Sequence, residues 1–326
     1  MNLYEQDRYI TTIPNVRQKL HEFGVAIIPN LLNNQECDEM KNGMWNYLEH
    51  ISSQFQTPIN RNNPQSWREL KQLYPKHSML IQQWGIGHAQ FIWNLRQNPK
   101  ILNVFSTIWD TPANDLVVSF DGASFHMPPE TTGSGWFKGK SWFHSDQSYL
   151  RNDLECIQSW VTAYDVNQGD ATLAFLEGSH RYHADFKNHF NIAQKDDWFL
   201  VNEEQFNYYT NTKGCPVKYI KCPKGSLVLW DSRTIHCGQE AMKERPVPNQ
   251  RCVAYLCYMP RINVHQKNLQ KKIKAFEELR TTNHWPNKPK LFPTKPHTYG
   301  APQPNVTQIN PPVISELGRR LVGYEN

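Results

Sequence analysis

The sequence predicts a mainly β core with flanking helices, an α+β chain whose strands form an antiparallel sandwich or barrel. In the first hundred of 326 residues, apolar side chains recur at three- and four-residue steps around one early strand. From residue 116 the pattern changes to short β-branched and aromatic runs separated by Gly, Asn, Asp and Pro turns. Beyond residue 260 it changes again, to a basic helix and a proline-rich stretch. The chain is therefore read as one domain over 1–326, with helical support in 1–100, a β core in 116–260 and a C-terminal extension in 261–326.

In chain order, Val16–Phe23 reads as a short amphipathic helix stopped by Gly24, and Val25–Ile28, followed by Pro29, has strand character. Asn33 or Asn34 caps a second helix, whose Cys37, Met40, Met44, Tyr47, Leu48 and Ile51 form one apolar face for a sheet. A polar connector with Pro58 and Pro64 leads to 81–88 and a further helix over 89–96. Residues 116–120 open the β region. The Gly- and Pro-rich loop 127–140 is either a lid or substrate wall, or a surface excursion. Residues 156–165 and 171–176 read as neighbouring strands joined by a turn at 167–170. After a polar, aromatic insertion over 186–212, strands resume at 217–220, 226–230 and 251–259. Residues 268–280 form a helix with Leu269, Ile273, Phe276 and Leu279 on one side and lysines on a solvated face. Eight prolines between Pro286 and Pro312 predict an extended tail, wrapped on the core or partly free.

Within the β region His144 and Asp146 stand two residues apart. On a strand they share a face while Ser145 points away, so they supply two adjacent metal ligands. His236, at the end of the strand-like run 226–236, is the third candidate. Two imidazoles and a carboxylate with open coordination positions are the ligand set of non-haem Fe(II) oxygenases. His180, His183 and Asp185 are a rival cluster, but they follow a turn and continue helically.

Composition limits the alternatives. No apolar run approaches the roughly 18 residues of a membrane span, and the polar start, Met1 to Asp7, has no signal-peptide character, which predicts a cytoplasmic or nuclear location. Seven cysteines without a C-x-x-C pair read as reduced core or edge thiols. A net charge of +5 tolerates an anionic partner without requiring one, and the eleven tryptophans match no nucleic-acid motif. A small-molecule substrate is the expected partner.

Taken together, these residues resemble the phytanoyl-CoA dioxygenase family of Fe(II)- and 2-oxoglutarate-dependent oxygenases. Residues 23–32 resemble that family's opening, His144-Ser145-Asp146 its H-x-D, and 171–180 its strand ending in a Gly-Ser-His turn. His236 stands where the distal metal ligand is expected, and Arg251 where an arginine meets the 5-carboxylate of 2-oxoglutarate. The resemblance implies a double-stranded β-helix, a cupin-like jelly-roll barrel, in which His144, Asp146 and His236 hold Fe(II). It implies a hydroxylation coupled to conversion of 2-oxoglutarate to succinate and CO2, on a small-molecule or acyl substrate. Trp160 is a further candidate for the cosubstrate pocket, and Trp142, Trp136, Gln147 and Lys138 for the substrate pocket. Gly238 departs from the family pattern, where a hydroxyl residue often follows the distal histidine by two. Arg245 is the alternative carboxylate anchor, but it lies in a loop before Pro246 and Pro248, whereas Arg251, Val253 and Tyr255 alternate on one face of a strand. A cupin-like metalloenzyme without 2-oxoglutarate, and a binding protein on the same barrel, are the competing classes.

Overall fold

The computed structural model describes residues 3–74 and 79–325. Its N-terminal elements follow from their end signals. Val16–Phe23 ends where Gly24 takes φ 76° and returns its N–H to the Leu20 carbonyl, a left-handed position that favours glycine. Val25–Ile28 then enters a sheet with every residue buried. Asn33 caps the helix Asn34–Ile51 through a reciprocal capping box with Glu36, and the helix buries the apolar face expected of it, with Trp45 added. Gln90–Arg96 is followed by Pro99–Trp109, a helix absent from the sequence reading although Asn98 and Pro99 are its cap and first residue.

Among the described residues the strands form two six-stranded sheets and one separate pair. The first sheet runs Tyr4–Glu5, Val217–Ile220, Thr172–Leu176, His236–Gln239, His144–Ser145, Phe199–Leu200. The second runs Val25–Ile28, Leu227–Asp231, Ile157–Thr162, Arg251–Leu256, Ala123–His126, Leu80–Ile81. Tyr258–Pro260 pairs with Leu116–Val118. The sheets meet face to face as a double-stranded β-helix. Val25, Ile27, Trp160, Val228, Trp230 and Val253 from one interdigitate with Leu173, Phe175 and Ile220 from the other. On the outer face of the second sheet, Ala26, Leu227, Leu229, Val161 and Ala254 join the apolar stripe of Asn34–Ile51. Burial on both faces explains why these strands read as continuous apolar runs. Each fully buried aliphatic side chain contributes about 1.5–3 kcal/mol.

Three expectations are corrected. Residues 171–176 are not the neighbour of 156–165: Ile157–Thr162 pairs with Leu227–Asp231 and Arg251–Leu256, whereas Thr172–Leu176 lies in the opposite sheet. The turn at 167–170 crosses between sheets instead of closing a hairpin. Secondly, 226–236 is not continuous. Leu227–Asp231 stops, Arg233 folds back onto Asp231 at 2.6 Å, and His236–Gln239 begins a strand of the other sheet. Lastly, the lysines of the helix Gln266–Glu277 are not all solvated. Lys272 is buried, its Nζ donates to the Val118 carbonyl and it lies 4.3 Å from the Phe120 ring centroid.

The loop 127–140 is docked on the core. Its short helix Pro129–Thr132 presents Glu130 to Arg245, and the Phe137 N–H donates to the Ala241 carbonyl at 2.8 Å. The tail lies on the N-terminal helices. The Thr307 N–H donates to the Ile51 carbonyl at 2.9 Å and the Val313 N–H to Gln90 Oε1 at 2.8 Å. It ends in a helix the sequence reading missed, Glu316–Val322, capped by Ser315. No helix among the described residues is long and apolar enough to cross a membrane.

Candidate metal centre

Strand pairing brings the two histidines together. His144 is directly opposite His236 in the first sheet, and their ring centroids are 4.5 Å apart. Asp146 lies just past its strand, where its N–H donates to the Ser232 carbonyl at 3.0 Å. Its Oδ1 is 3.4 Å from His144 Nε2 and its Oδ2 is 3.3 Å from His236 Nε2. All three side chains are buried, and their ligand atoms lie within 4.8 Å of one another. Among the described residues no other such group occurs. The rival histidines are occupied elsewhere, His180 with the His21 carbonyl at 2.9 Å and His183 with that of Ser148 at 3.2 Å.

The hydrogen bonds behind the rings set the tautomer. Nδ1–H of His144 donates to the Trp142 carbonyl at 3.1 Å, and Nδ1–H of His236 to that of Thr234 at 2.9 Å. Each Nε2 lone pair is thereby directed at Asp146. The Trp230 indole N–H donates to His236 Nε2 at 3.2 Å, which assigns the same tautomer, and Gln158 Nε2 donates to Asp146 Oδ2 at 2.8 Å. Lone pairs gathered out of water repel unless protons or a cation lie among them. Burial, and then the neighbouring His144, lowers the proton affinity of His236 despite the pull of Asp146. Burial raises the Asp146 carboxyl, but electrostatic attraction to the His284 and His144 rings outweighs it and holds the acid well below its usual range. An ionised carboxylate between two unprotonated nitrogens is a set of donors that fits a divalent cation.

The second charged feature of the barrel interior is Arg251. It is buried, its Nε donates to Ser124 Oγ and its Nη1 to the Ala171 carbonyl, each at 2.8 Å, and it lies 5.5 Å from the Trp160 ring centroid. Among the described residues no carboxylate pairs with it. Arg245 is the opposite case. It grips Glu130 at 2.7 and 2.6 Å and Asp170 at 2.9 Å, so its charge is already used.

The remaining candidates separate. Trp142 stacks on His144 with ring centroids 4.8 Å apart and planes 5° from parallel. Trp136 instead lies beside Arg245, and Lys138 is exposed near Glu240. Gln147 is not a pocket wall. Its Nε2 donates to the Arg151 and Asp153 carbonyls and its Oε1 accepts from Ser232 and Glu155, so it staples the turn after the metal strand. At Gly238 a Cβ would come within 3.1 Å of Met79 Cε and 3.6 Å of Trp142, so this position borders the same apolar wall. The sequence reading missed Gln158, Trp230, Ser124 and Trp198. For Gln158 and Trp230 the signal was present, since a polar residue and an indole alternate with apolar ones on strands already recognised.

A buried carboxylate and two imidazoles on a double-stranded β-helix define a metalloenzyme centre of the jelly-roll oxygenase class. Residues 20–242 match the family described as phytanoyl-CoA dioxygenase (PhyH). The chain belongs to that family and is a non-haem iron, 2-oxoglutarate-dependent oxygenase. It is 25% identical over 284 residues, 83% of this chain and 86% of the other, to the Ava biosynthesis cluster protein O of Aspergillus versicolor. Its fold is similar to that of a Salmonella typhimurium LT2 protein proposed to be an oxidoreductase, with TM-score 0.56, 12% identity and coverage of 97% of this chain and 86% of that one. It is also similar to the GlcNAc-inducible gene 2 protein of Candida albicans, with TM-score 0.50, 12% identity and coverage of 84% and 68%.

Proposed function

We propose that His144, Asp146 and His236 hold Fe(II), that Arg251 receives the far carboxylate of 2-oxoglutarate, and that the enzyme hydroxylates a C–H bond of a small molecule. The observation that carries this reading is the pairing of an anionic three-ligand cluster with a buried arginine that no carboxylate of the described residues pairs with. An uncompensated buried charge is expensive, so a ligand carboxylate is the natural complement. Iron with 2-oxoglutarate and O2 supplies the oxidising power, with succinate and CO2 as by-products.

The protein's own residues do the positioning. The Trp142 and Thr234 carbonyls fix the imidazole tautomers, and Gln158 holds one oxygen of Asp146. Ser124 and the Ala171 carbonyl orient the Arg251 guanidinium beside the Tyr255 side chain, so that its fork can meet a carboxylate. Trp160 covers the guanidinium face and screens it from water. Asp146 retains the carboxylate that a halide-binding variant of such a site would lack, which supports hydroxylation.

The test is anaerobic addition of 2-oxoglutarate to the Fe(II)-loaded protein, followed by visible absorption of the chelate. A weak charge-transfer band is expected in the wild type and not in His144→Ala. A band that persists in His144→Ala would sink the ligand assignment.

A further inference from the structure

Two neutral N–H donors reach the triad from the opposite sheet, and a cation at the triad would affect them differently. Gln158 and Trp230 are directly opposite each other on Ile157–Thr162 and Leu227–Asp231, so their side chains share the inner face. Gln158 Nε2 donates to Asp146 Oδ2 at 2.8 Å, and the Trp230 indole N–H donates to His236 Nε2 at 3.2 Å. Both residues are buried.

A carboxylate has lone pairs for several partners, so Gln158 keeps its acceptor when Asp146 binds a cation. An imidazole does not offer this. With Nδ1–H of His236 committed to the Thr234 carbonyl at 2.9 Å, Nε2 has a single lone pair, and it is the one a cation takes. The Trp230 N–H donates to no other acceptor among the described residues, and the side chain is 3% exposed. Filling the site therefore leaves a buried donor without its partner, a state that calls for a new acceptor.

Position along the strand selects which end of the cosubstrate supplies that acceptor. Two residues beyond Gln158, on the same face, the Trp160 ring centroid is 5.5 Å from the Arg251 guanidinium. A two-residue step along a strand covers about 6.6 Å, which suits the span of a five-carbon dicarboxylate. With the far carboxylate at Arg251, the keto-acid end lies by Gln158 and its cross-strand partner Trp230. The partner of Trp160 on the same strand is Val228, which offers no side-chain donor.

We propose, building on the metal and cosubstrate reading above, that Trp230 is a cosubstrate-binding residue. Its indole N–H exchanges the His236 lone pair for an oxygen at the keto-acid end of 2-oxoglutarate. The bond that opposes a cation alone then favours the cation and 2-oxoglutarate together, so the two bind cooperatively.

Zn(II), which supports no turnover, and then 2-oxoglutarate are titrated by calorimetry into the full chain and into Trp230→Phe. The two affinities should move in opposite directions. Trp230→Phe should bind Zn(II) about two- to tenfold more tightly, because no hydrogen bond is broken, and the Zn(II) form should bind 2-oxoglutarate about two- to tenfold more weakly, the effect of one net hydrogen bond. A tryptophan that only fills the core would lower both affinities together or neither. Benzothienylalanine at position 230 keeps the ring shape and replaces the N–H by sulfur. It should reproduce the split, and it keeps the test informative if the phenylalanine variant misfolds. Any pattern other than this split in the benzothienyl protein would overturn the proposal. A wild type that binds no Zn(II), or binds Zn(II) without then binding 2-oxoglutarate, would instead refute the reading of the site, and this proposal with it.

Discussion

Replacement of Arg251 by alanine separates the two candidate anchors for the cosubstrate. In the wild type, two of the guanidinium's donors are held by Ser124 Oγ and the Ala171 carbonyl, each at 2.8 Å, and no carboxylate of the described residues neutralises the charge. Removing one partner of a buried, hydrogen-bonded charge pair costs about 2–5 kcal/mol. At about 1.4 kcal/mol per tenfold, Arg251→Ala should weaken 2-oxoglutarate by roughly thirtyfold to a few thousandfold. Arg251→Lys should recover part of this, since it keeps the charge and loses the fork. Arg245→Ala should behave in the opposite way. It leaves the buried Asp170 and the exposed Glu130 without their shared cation, so it should destabilise the fold by about 3–5 kcal/mol, chiefly through Asp170, with 2-oxoglutarate affinity within about threefold of wild type. The assay is anaerobic titration of the charge-transfer band, with urea melts of the same proteins. Arg251→Ala within about threefold of wild type, with the loss falling on Arg245→Ala, would refute the reasoning.

Burial lowers the Lys272 amine from 10.5 to about 7, with repulsion from Arg96 as the next cause. The fall corresponds to roughly 5 kcal/mol, from which attraction of the charged form to the Phe120 face, worth up to about 2 kcal/mol, is subtracted. The folded state binds fewer protons than the unfolded one between these values, so this contribution to stability is full above pH 10.5 and is lost as pH falls through about 7. Lys272→Met should therefore be more stable than wild type by a few kcal/mol at pH 6, with the gap narrowing towards pH 10 in urea melts. A gap independent of pH would contradict this. Gly122→Ala should lose about 1–3 kcal/mol, because the new Cβ would meet the Ile81 carbonyl oxygen at 2.1 Å and force the edge strand Leu80–Ile81 away; an unchanged melting temperature would count against the register there. Chelation of the metal should lower the melting temperature, and restoring a divalent cation at about a hundred times its Kd should return about 2.7 kcal/mol.

The parts of this protein that its sequence determined are those coded over a few residues. The Asn33 cap with Glu36, the stop at Gly24 and the apolar stripe from Cys37 to Ile51 all form as their local chemistry requires. The H-x-D spacing likewise announces His144 and Asp146 as a pair, because alternation is a property of the strand itself. The family resemblance, carried by such motifs, made the jelly-roll legible before any coordinates.

Tertiary structure decided what depends on partners far along the chain. Nothing in residues 156–176 reveals that two adjacent strands separate into different sheets, because each finds its neighbours 41 or more residues away. The difference between the two arginines was equally invisible. Arg245 is neutralised by Asp170 and Glu130, 75 and 115 residues distant, while Arg251 donates to a hydroxyl and a carbonyl and meets no carboxylate among the described residues. Trp198 lies in a stretch that reads as a polar, aromatic insertion, and only the pairing of Phe199–Leu200 with His144–Ser145 carries it to the triad. A residue type is written locally, but whether its charge or lone pair is satisfied depends on what the fold sets beside it.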